Sequence, residues 1–327
     1  MIAYRFSHDD LLRTRFAISP LMELSGAVEA IREPERFPIH APFAEWARPR
    51  ITDLDWDLLS AAVPTGGRWY PDFVIPPPTE AHPQLEGELR RVLETDPAQI
   101  ALEMRQAYPD GLPAAAQLLI DRPGTGIRRL VDQMRTFWDA VLAPRWEDIL
   151  ALLEAEVAQR GRNLATIGPA AAFADLGDAD AVAWRDGRVE VTSRTDREVD
   201  LAGRGLLLVP AVFSWPIVWP INDEPWQPTI VYPPRGIADL WAPQALRDTA
   251  ALGDLIGARR AAVLLGLDRP ASTLDLARRL GVSPAGVSAH LAVLRRAGLV
   301  IGRRDGRQVL YGRTRAGDRL IHAASGI

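Results

Sequence analysis

Residues 272–298 constrain the chain more than any other stretch. Two short helical patterns meet there at Gly281-Val282. In the first, Ser272 stands three residues before Asp275, the spacing of a capping box with Asp in the usual Glu place. Gly281 suits the left-handed position that ends such a helix. Ser283 can cap the next helix, and Pro284 takes its first turn, where a missing N–H costs nothing. The spacing therefore predicts helix, tight turn, helix. At about 100° per residue, Val287, Leu291 and Leu294 share one stripe of the second helix, which is the expected core side. Ala285, Ala289, Ala292 and Arg296 fall opposite, flanked by Ser288 and Arg295.

The outward N-terminal half of that helix is small: Ala285, Gly286, Ser288, Ala289. Small side chains let a helix backbone approach base edges, serine can hydrogen-bond several bases, and alanine can touch a thymine methyl. The plainer alternative is the solvent face of a small helix. Beyond it, β-like runs at residues 299–301 and 309–311 flank Arg303-Arg304-Asp305-Gly306-Arg307, and Asp-Gly is a strong hairpin signal. Alone, this reads as an edge hairpin protected by charge. Beside a helix pair, a basic tip suits contact with phosphates or the minor groove.

Together these segments resemble the winged helix of ArsR-type bacterial transcriptional regulators. Ala258-Arg259-Arg260 through Val263-Leu264 resembles the first helix. Leu276-Ala277-Arg278-Arg279-Leu280-Gly281-Val282-Ser283 resembles the turn, and Val287-Ser288-Ala289-His290-Leu291 through Leu294-Arg295 the recognition helix. Gly298-Leu299-Val300 and the arginine-rich hairpin resemble the wing. The resemblance implies a homodimer held by the helices before and after the winged helix. It would bind double-stranded DNA at two half-sites of an inverted repeat, about one helical turn apart. The residues assigned to DNA are Ser283, Pro284, Ala285, Ser288, Ala289, His290, Arg295, Arg296, Arg303, Arg304 and Arg307. Many ArsR-type proteins sense metals through a Cys-x-Cys pair. The matching positions here are Ser272 and Leu274, and the chain has no cysteine. Asp318 and His322 are four apart on the last helix, but two ligands do not make a site. No metal or cofactor is expected, and His290 reads as packing or touching a phosphate.

The formal charge of −4 hides an asymmetry. From Ala245 onward there are 14 arginines, 6 aspartates and no glutamate, a net +8, and the preceding residues carry −12. A basic module on an acidic body fits a DNA reader joined to a part that does not touch DNA. All 38 basic residues are arginine, which reads as coding bias. The N-terminus lacks the basic-then-apolar order of a signal peptide, and no apolar run approaches a membrane span. A cytoplasmic protein without membrane association is expected.

The 327 residues suffice for two domains or more. The expected architecture is α+β and mostly helical. A body at 1–240, helical to about 165 and then a small, mostly antiparallel sheet, precedes a winged helix-turn-helix at 244–327 that also dimerises. Ile2, Tyr4 and Phe6 alternate as a strand. Ser7 then caps a helix through Leu11, Leu12 and Phe16, and Ser19-Pro20 opens another with Leu21, Leu24, Val28 and Ile31 on one face. Residues 11–24 resemble the start of an uncharacterised domain that precedes such winged helices in high-GC bacteria. Helices are expected near 85–94, 97–108, 113–120, 124–142 and 145–160, with Leu130, Met134, Phe137, Trp138 and Val141 as core. Strands follow near 181–184, 189–192, 198–201, 206–213 and 229–232. Toward the end, helices are expected from about Gln244, over 254–265 and over 316–324. The four tryptophans at 215, 219, 226 and 241 can form a wall for an apolar effector, or a proline-stiffened loop packed on itself.

Catalytic constellations are not recognisable: no Gly-x-Ser-x-Gly, His-Glu-x-x-His, P-loop or strand-borne Gly-x-Gly-x-x-Gly is present. Gly124-Thr-Gly126 reads as a turn before an anion site. Asp9-Asp10 and Asp53/Asp55/Asp57 sit near helix starts, where carboxylates are favourable. His8, His40 and His82 do not cluster in sequence, although folding can bring them together. The expectation is a non-enzymatic, sequence-specific DNA-binding regulator, a repressor by type, with a small effector acting on the body. The alternatives are an enzyme-like body with a DNA-binding tail, or a protein-interaction module, which calls for an apolar patch where this wing has arginines.

Overall fold

A computed structural model describes residues 1–66, 69–177, 181–185, 187–193, 196–241, 252–267, 270–305 and 308–324. The chain divides into two compact units, Met1–Trp241 and Ala242–Ile327. The expected helix from about Gln244 lies outside the described residues.

The first unit opens with β1 (Ile2–Arg5), whose Ile2 and Tyr4 face inward. In α1 (His8–Arg13), Ser7 and Asp10 form a capping box, and Asp10 also accepts from the Gly205 N–H at 3.1 Å. That helix does not reach Phe16. Thr14 is extended, and its hydroxyl bonds the Asp10 carbonyl at 2.8 Å. Arg15 and Ala17 then donate to the carbonyls of Leu206 and Leu208, which draws Arg15–Phe16 into a strand, β2. Ser19 caps α2 (Pro20–Arg32), which buries Leu21, Leu24, Val28 and Ile31.

There follow α3 (Ala41–Ile51), α4 (Asp57–Ala62), α5 (Leu85–Leu93), α6 (Pro97–Ala107), α7 (Gln117–Asp121) and α8 (Pro123–Phe137). α8 runs into a π turn at Trp138–Leu142, and α9 (Trp146–Thr166) and α10 (Pro169–Phe173) complete the series. The stripe Leu130, Met134, Phe137, Trp138, Val141 is buried in the main core. A Cβ on Gly126 would lie 2.8 Å from the Leu118 carbonyl oxygen and 2.9 Å from the Leu119 Cα. Close approach of α7 and α8 explains that glycine. Asp55 and Asp57 bind the Gln133 amide, each at 2.9 Å, and also Arg129, so this acidic run anchors α4 to α8.

The remaining elements are β3 (Val182–Arg185), β4 (Arg188–Val191), β5 (Arg197–Asp200), β6 (Leu207–Pro210), β7 (Trp219–Ile221), β8 (Thr229–Tyr232) and α11 (Ile237–Leu240). They correct the expectation of one mostly antiparallel sheet placed after the helices. Two four-stranded sheets form, ordered β3-β4-β1-β5 and β2-β6-β8-β7. Both are mixed: β1 pairs antiparallel with β4 and parallel with β5, while β6 lies parallel to β2 and β8. Parallel neighbours need a long crossover. For β1–β5 and β2–β6 that crossover contains the whole helical region, which returns the chain to strands made at its start; for β6–β8 it is residues 211–228.

Buried polar groups fasten these layers. The Glu23 carboxylate on α2 accepts from the N–H groups of Val212 (2.7 Å) and Phe213 (3.2 Å). Arg160 and Glu156, both almost fully buried, pair at 2.6 Å on α9, and Arg160 also donates to the Asp175 carbonyl at 2.9 Å. The tryptophans of 215–241 divide. Trp241 donates to His40 Nδ1 at 3.0 Å within a cluster of His40, Phe43 and Phe213, and Trp215 meets the His40 ring edge-on. Trp226 donates to Glu103 at 3.0 Å. Packing thus accounts for three of the four, whereas Trp219 stacks on Tyr70 and lines a cavity. Burial pushes the His40 pKa down to about 3, so this histidine is neutral. His8 and His82 are exposed, and among the described residues no group of three or more His, Asp or Glu is placed to hold a metal ion.

In the second unit the helix expected over 254–265 is two pieces, because Gly257 at φ 88° interrupts it. Residues 252–256 are helical, and α12 (Ala258–Leu265) follows. Then come β9 (Ala271–Ser272), α13 (Thr273–Leu280), α14 (Pro284–Arg296), β10 (Val300–Asp305), β11 (Gln308–Arg313) and α15 (Arg315–Ala324). The three strands form one antiparallel sheet, ordered β10-β11-β9. Leu252, Val263, Leu264, Leu276, Leu291 and Val300 are among its core residues.

Candidate nucleic-acid interface

Local chemistry fixes the geometry of the α13–α14 pair. Ser272 Oγ accepts from the Asp275 N–H at 3.2 Å, and the Asp275 carboxylate accepts from the Ser272 N–H at 3.3 Å. The Ser272 hydroxyl, which donates to the Asp275 carboxylate at 2.6 Å, and then the Ser272 N–H hold that carboxyl below its ordinary pKa. Gly281 at φ 65° closes α13, and Val282 donates back to the Ala277 carbonyl. Ser283 Oγ then accepts from the Gly286 N–H at 3.2 Å, which caps α14 two residues after the turn glycine.

α14 buries Val287, Leu291 and Leu294. Ser283, Pro284, Ala285, Ser288, Ala289, Ala292, Arg295 and Arg296 are exposed, and His290 is half-buried. The inward stripe is continuous, so the opposite face is held rigidly outward as a row of small side chains.

β10 and β11 are paired from Val300↔Arg313 to Asp305↔Gln308. At the base, Thr314 donates its hydroxyl to the Gly298 carbonyl at 2.7 Å and its N–H to the Leu299 carbonyl. Successive strand residues point to opposite faces. Arg303, opposite Leu310, therefore projects from one face of the ribbon, and Arg304, opposite Val309, from the other. Arg307 lies outside the described residues, as do Gly306 and the side chain of His322.

The arginines on and beside the helix pair and the ribbon differ in their partners. Arg278 pairs with Asp275 at 2.8 Å, and Arg313 with Asp318 at 2.9 Å. Arg295, Arg296, Arg303 and Arg304 are exposed and have no ion-pair partner among the described residues. A helix pair joined by a glycine turn, followed by a β-ribbon with unpaired arginines, is the construction of a winged DNA-reading module. A family model described as a helix-turn-helix domain matches residues 259–303.

The C-terminal unit is a winged helix-turn-helix domain.

The domain is preceded by a match, over residues 95–237, to a family of unknown function, DUF5937. Residues 11–24 lie outside that match. No curated protein and no solved structure matches the chain. The winged helix-turn-helix makes the chain a DNA-binding regulator in broad class. Among the described residues no helix is long and apolar enough to cross a membrane.

Ten of the eleven residues assigned from sequence are described, and these lie on α14, at its cap or on the wing strands. Sequence reading missed the polar lining of a cavity in the other unit, which includes Ser25, Glu29, Tyr70 and Asp72. These residues come from distant segments, and no spacing rule joins them.

Proposed function

We propose that the protein is an ArsR-type transcriptional repressor that binds an inverted-repeat operator as a homodimer. The observation that carries this reading is the outward face of α14. Ser283, Pro284, Ala285, Ser288 and Ala289 are small and exposed, with unpaired Arg295 and Arg296 further along the same helix. Such a face lets the helix backbone sit deep in the major groove, where Ser288 hydrogen-bonds base edges and the alanines meet thymine methyls. Arg295 and Arg296 run beside the phosphate backbone, and His290 packs or touches a phosphate. Arg303, Arg304 and Arg307 hold phosphates from the wing. Arginines on both faces of a ribbon reach phosphates on both sides of a minor groove that the wing enters. The helices flanking the winged helix join two copies, which spaces the recognition helices about one DNA turn apart.

Bound at a promoter, the dimer represses by occlusion. The unit Met1–Trp241 is the regulatory part: an effector bound there shifts the dimer's half-site spacing and so its operator affinity. No catalytic step is part of this reading. A DNA-binding role puts the protein in the cytoplasm.

The test is the affinity of the full-length protein for labelled DNA from upstream of its own gene, against a scrambled duplex, at two salt concentrations. A specificity ratio of about 10³ or more with a steep salt slope is expected. Equal affinity for the scrambled duplex would remove the reading.

A further inference from the structure

The unit Met1–Trp241 contains a cavity of about 460 Å³, within the range of small-molecule sites. One wall is α2, through Met22, Ser25, Gly26 and Glu29. The others come from the segment around Trp69–Asp72, from strand ends near Arg197, and from the stretch between Ala211 and Asp223. Trp69, Phe213, and Trp219 stacked on Tyr70 at 6.0 Å give it an aromatic interior.

Its charged lining does not balance. Arg36 pairs with Glu29 at 2.9 Å, and Arg197 with Asp223 at 2.6 Å. That leaves Asp72, which is 7% exposed and has no hydrogen-bond or ion-pair partner for its carboxyl among the described residues. Its charged neighbours are the carboxyls of Glu103 and Asp223. Glu103 is already occupied, accepting from the Phe73 N–H (2.7 Å), Gln99 Nε2 (2.6 Å) and Trp226 Nε1 (3.0 Å). Two hydroxyls, each able to donate or accept, lie in the same lining. The Tyr70 and Ser25 hydroxyls are buried beside one another, and neither makes a hydrogen bond of normal length to a protein group.

Burying a carboxyl without a donor is costly, and a bound cation removes the cost. Aromatic ring faces attract the same charge. An anion would meet three carboxyl groups and find both lining arginines engaged.

We propose that this cavity binds a small primary amine, with Asp72 as the counter-ion of its ammonium group and the aromatic walls around its apolar body. This rests on the reading of the protein as an effector-responsive regulator and supplies the chemical class of that effector. An ammonium brings three N–H donors, which the Asp72 carboxyl and the hydroxyl oxygens of Ser25 and Tyr70 can accept. Burial, and then the nearby Glu103 and Asp223 carboxyls, push the Asp72 pKa up to about 8. Deprotonation of Asp72 is therefore coupled to amine uptake, and affinity rises from pH 6 toward pH 8. Glu29, Arg36, Arg197 and Tyr70 also line the cavity.

All ten tryptophans lie in Met1–Trp241, so their fluorescence reports this unit alone. The full-length protein is titrated with phenethylamine and cyclohexylmethylamine, and in parallel with 2-phenylethanol and 3-phenylpropionate, at pH 6 and pH 8. Saturable amine binding is expected, about tenfold or more tighter than the alcohol at pH 8, with none for the carboxylate. Asp72→Asn should keep the thermal midpoint at or above that of the unchanged protein and lose that tenfold preference. The inference is overturned if no amine saturates below about 1 mM, if the alcohol binds as tightly, or if Asp72→Asn binds amine undiminished. Operator affinity is read separately on labelled DNA. A protein that binds its operator specifically but takes up no amine loses this inference and keeps the regulatory reading, and the converse result does the reverse.

Discussion

Arg303 and Arg304 are neighbours in sequence and opposites in space, since the pleat of β10 sends them to different faces of the wing. Each is exposed and unpaired among the described residues. A point charge on a phosphate contributes affinity without regard to base identity. Arg304→Ala should therefore weaken binding to operator and scrambled DNA alike and reduce the salt slope by about one charge. An unchanged slope in a titration from low to high salt would show that the wing does not touch phosphate. Ser288 is proposed for the other class of contact, since it projects from the outward face of α14, whose other side is core. Ser288→Ala should leave the salt slope alone and change the preference at one base pair by about 1–3 kcal/mol. Selection from a randomised operator library reads that change directly.

At the scale of the element, α2 organises the first unit. It packs on the turn at Val212–Ser214, and Glu23 holds that turn by two backbone N–H groups. The approach is close enough that a Cβ on Gly26 would stand 2.5 Å from the Phe213 Cβ and 3.2 Å from its carbonyl oxygen. Neither is the free end of a flexible side chain, so the helix or the turn must move. Gly26→Ala should destabilise this unit by about 1–3 kcal/mol despite the better helix propensity of alanine. The denaturant midpoint followed by tryptophan fluorescence measures it, and a stabilised protein would contradict the packing described. The same substitution narrows one wall of the cavity, since Gly26 lines it.

The two parts of the chain carry opposite net charge, +8 from Ala245 onward and −12 before it. Much of the acidic charge in the first unit is exposed, yet several carboxyls are buried there. Burial raises Glu23 and Asp72 to about 8, and Glu29 and Glu88 to about 7. A carboxyl with a raised folded pKa stays protonated in the fold while the unfolded chain has released that proton. Stability therefore falls as pH climbs from the ordinary carboxylate range to the folded value. His40 acts in the opposite direction, but only between about 3 and its ordinary 6.5. From pH 6.5 to 8.5 the raised carboxyls act alone among these groups, so the thermal midpoint read by tryptophan fluorescence should drop across that window. A flat or rising midpoint would mean that these carboxyls are already ionised at neutral pH.

What the sequence by itself determined is what depends on neighbours within a few residues. The Ser272/Asp275 box, the Gly281 stop, the Ser283-Pro284 start and the Val287/Leu291/Leu294 stripe are each set by one helical turn, so the helix-turn-helix was legible from residue types alone. The helices of the body were legible for the same reason. The π turn at Trp138–Leu142, the glycine break at Gly257 and the short first helix lay beyond that reading, because packing and strand pairing decide them. Only the tertiary structure decided the sheets. β1 and β2 find partners near residues 190 and 207, a pairing that no local pattern encodes. The cavity is of the same kind. Asp72 becomes an unpartnered buried carboxyl only because α2, the Trp69–Asp72 segment and the stretch before Asp223 meet around it. Capping and amphipathicity act along the chain at short range and are written in it. Burial and charge balance depend on which distant segments meet, and those meetings exist only in the fold.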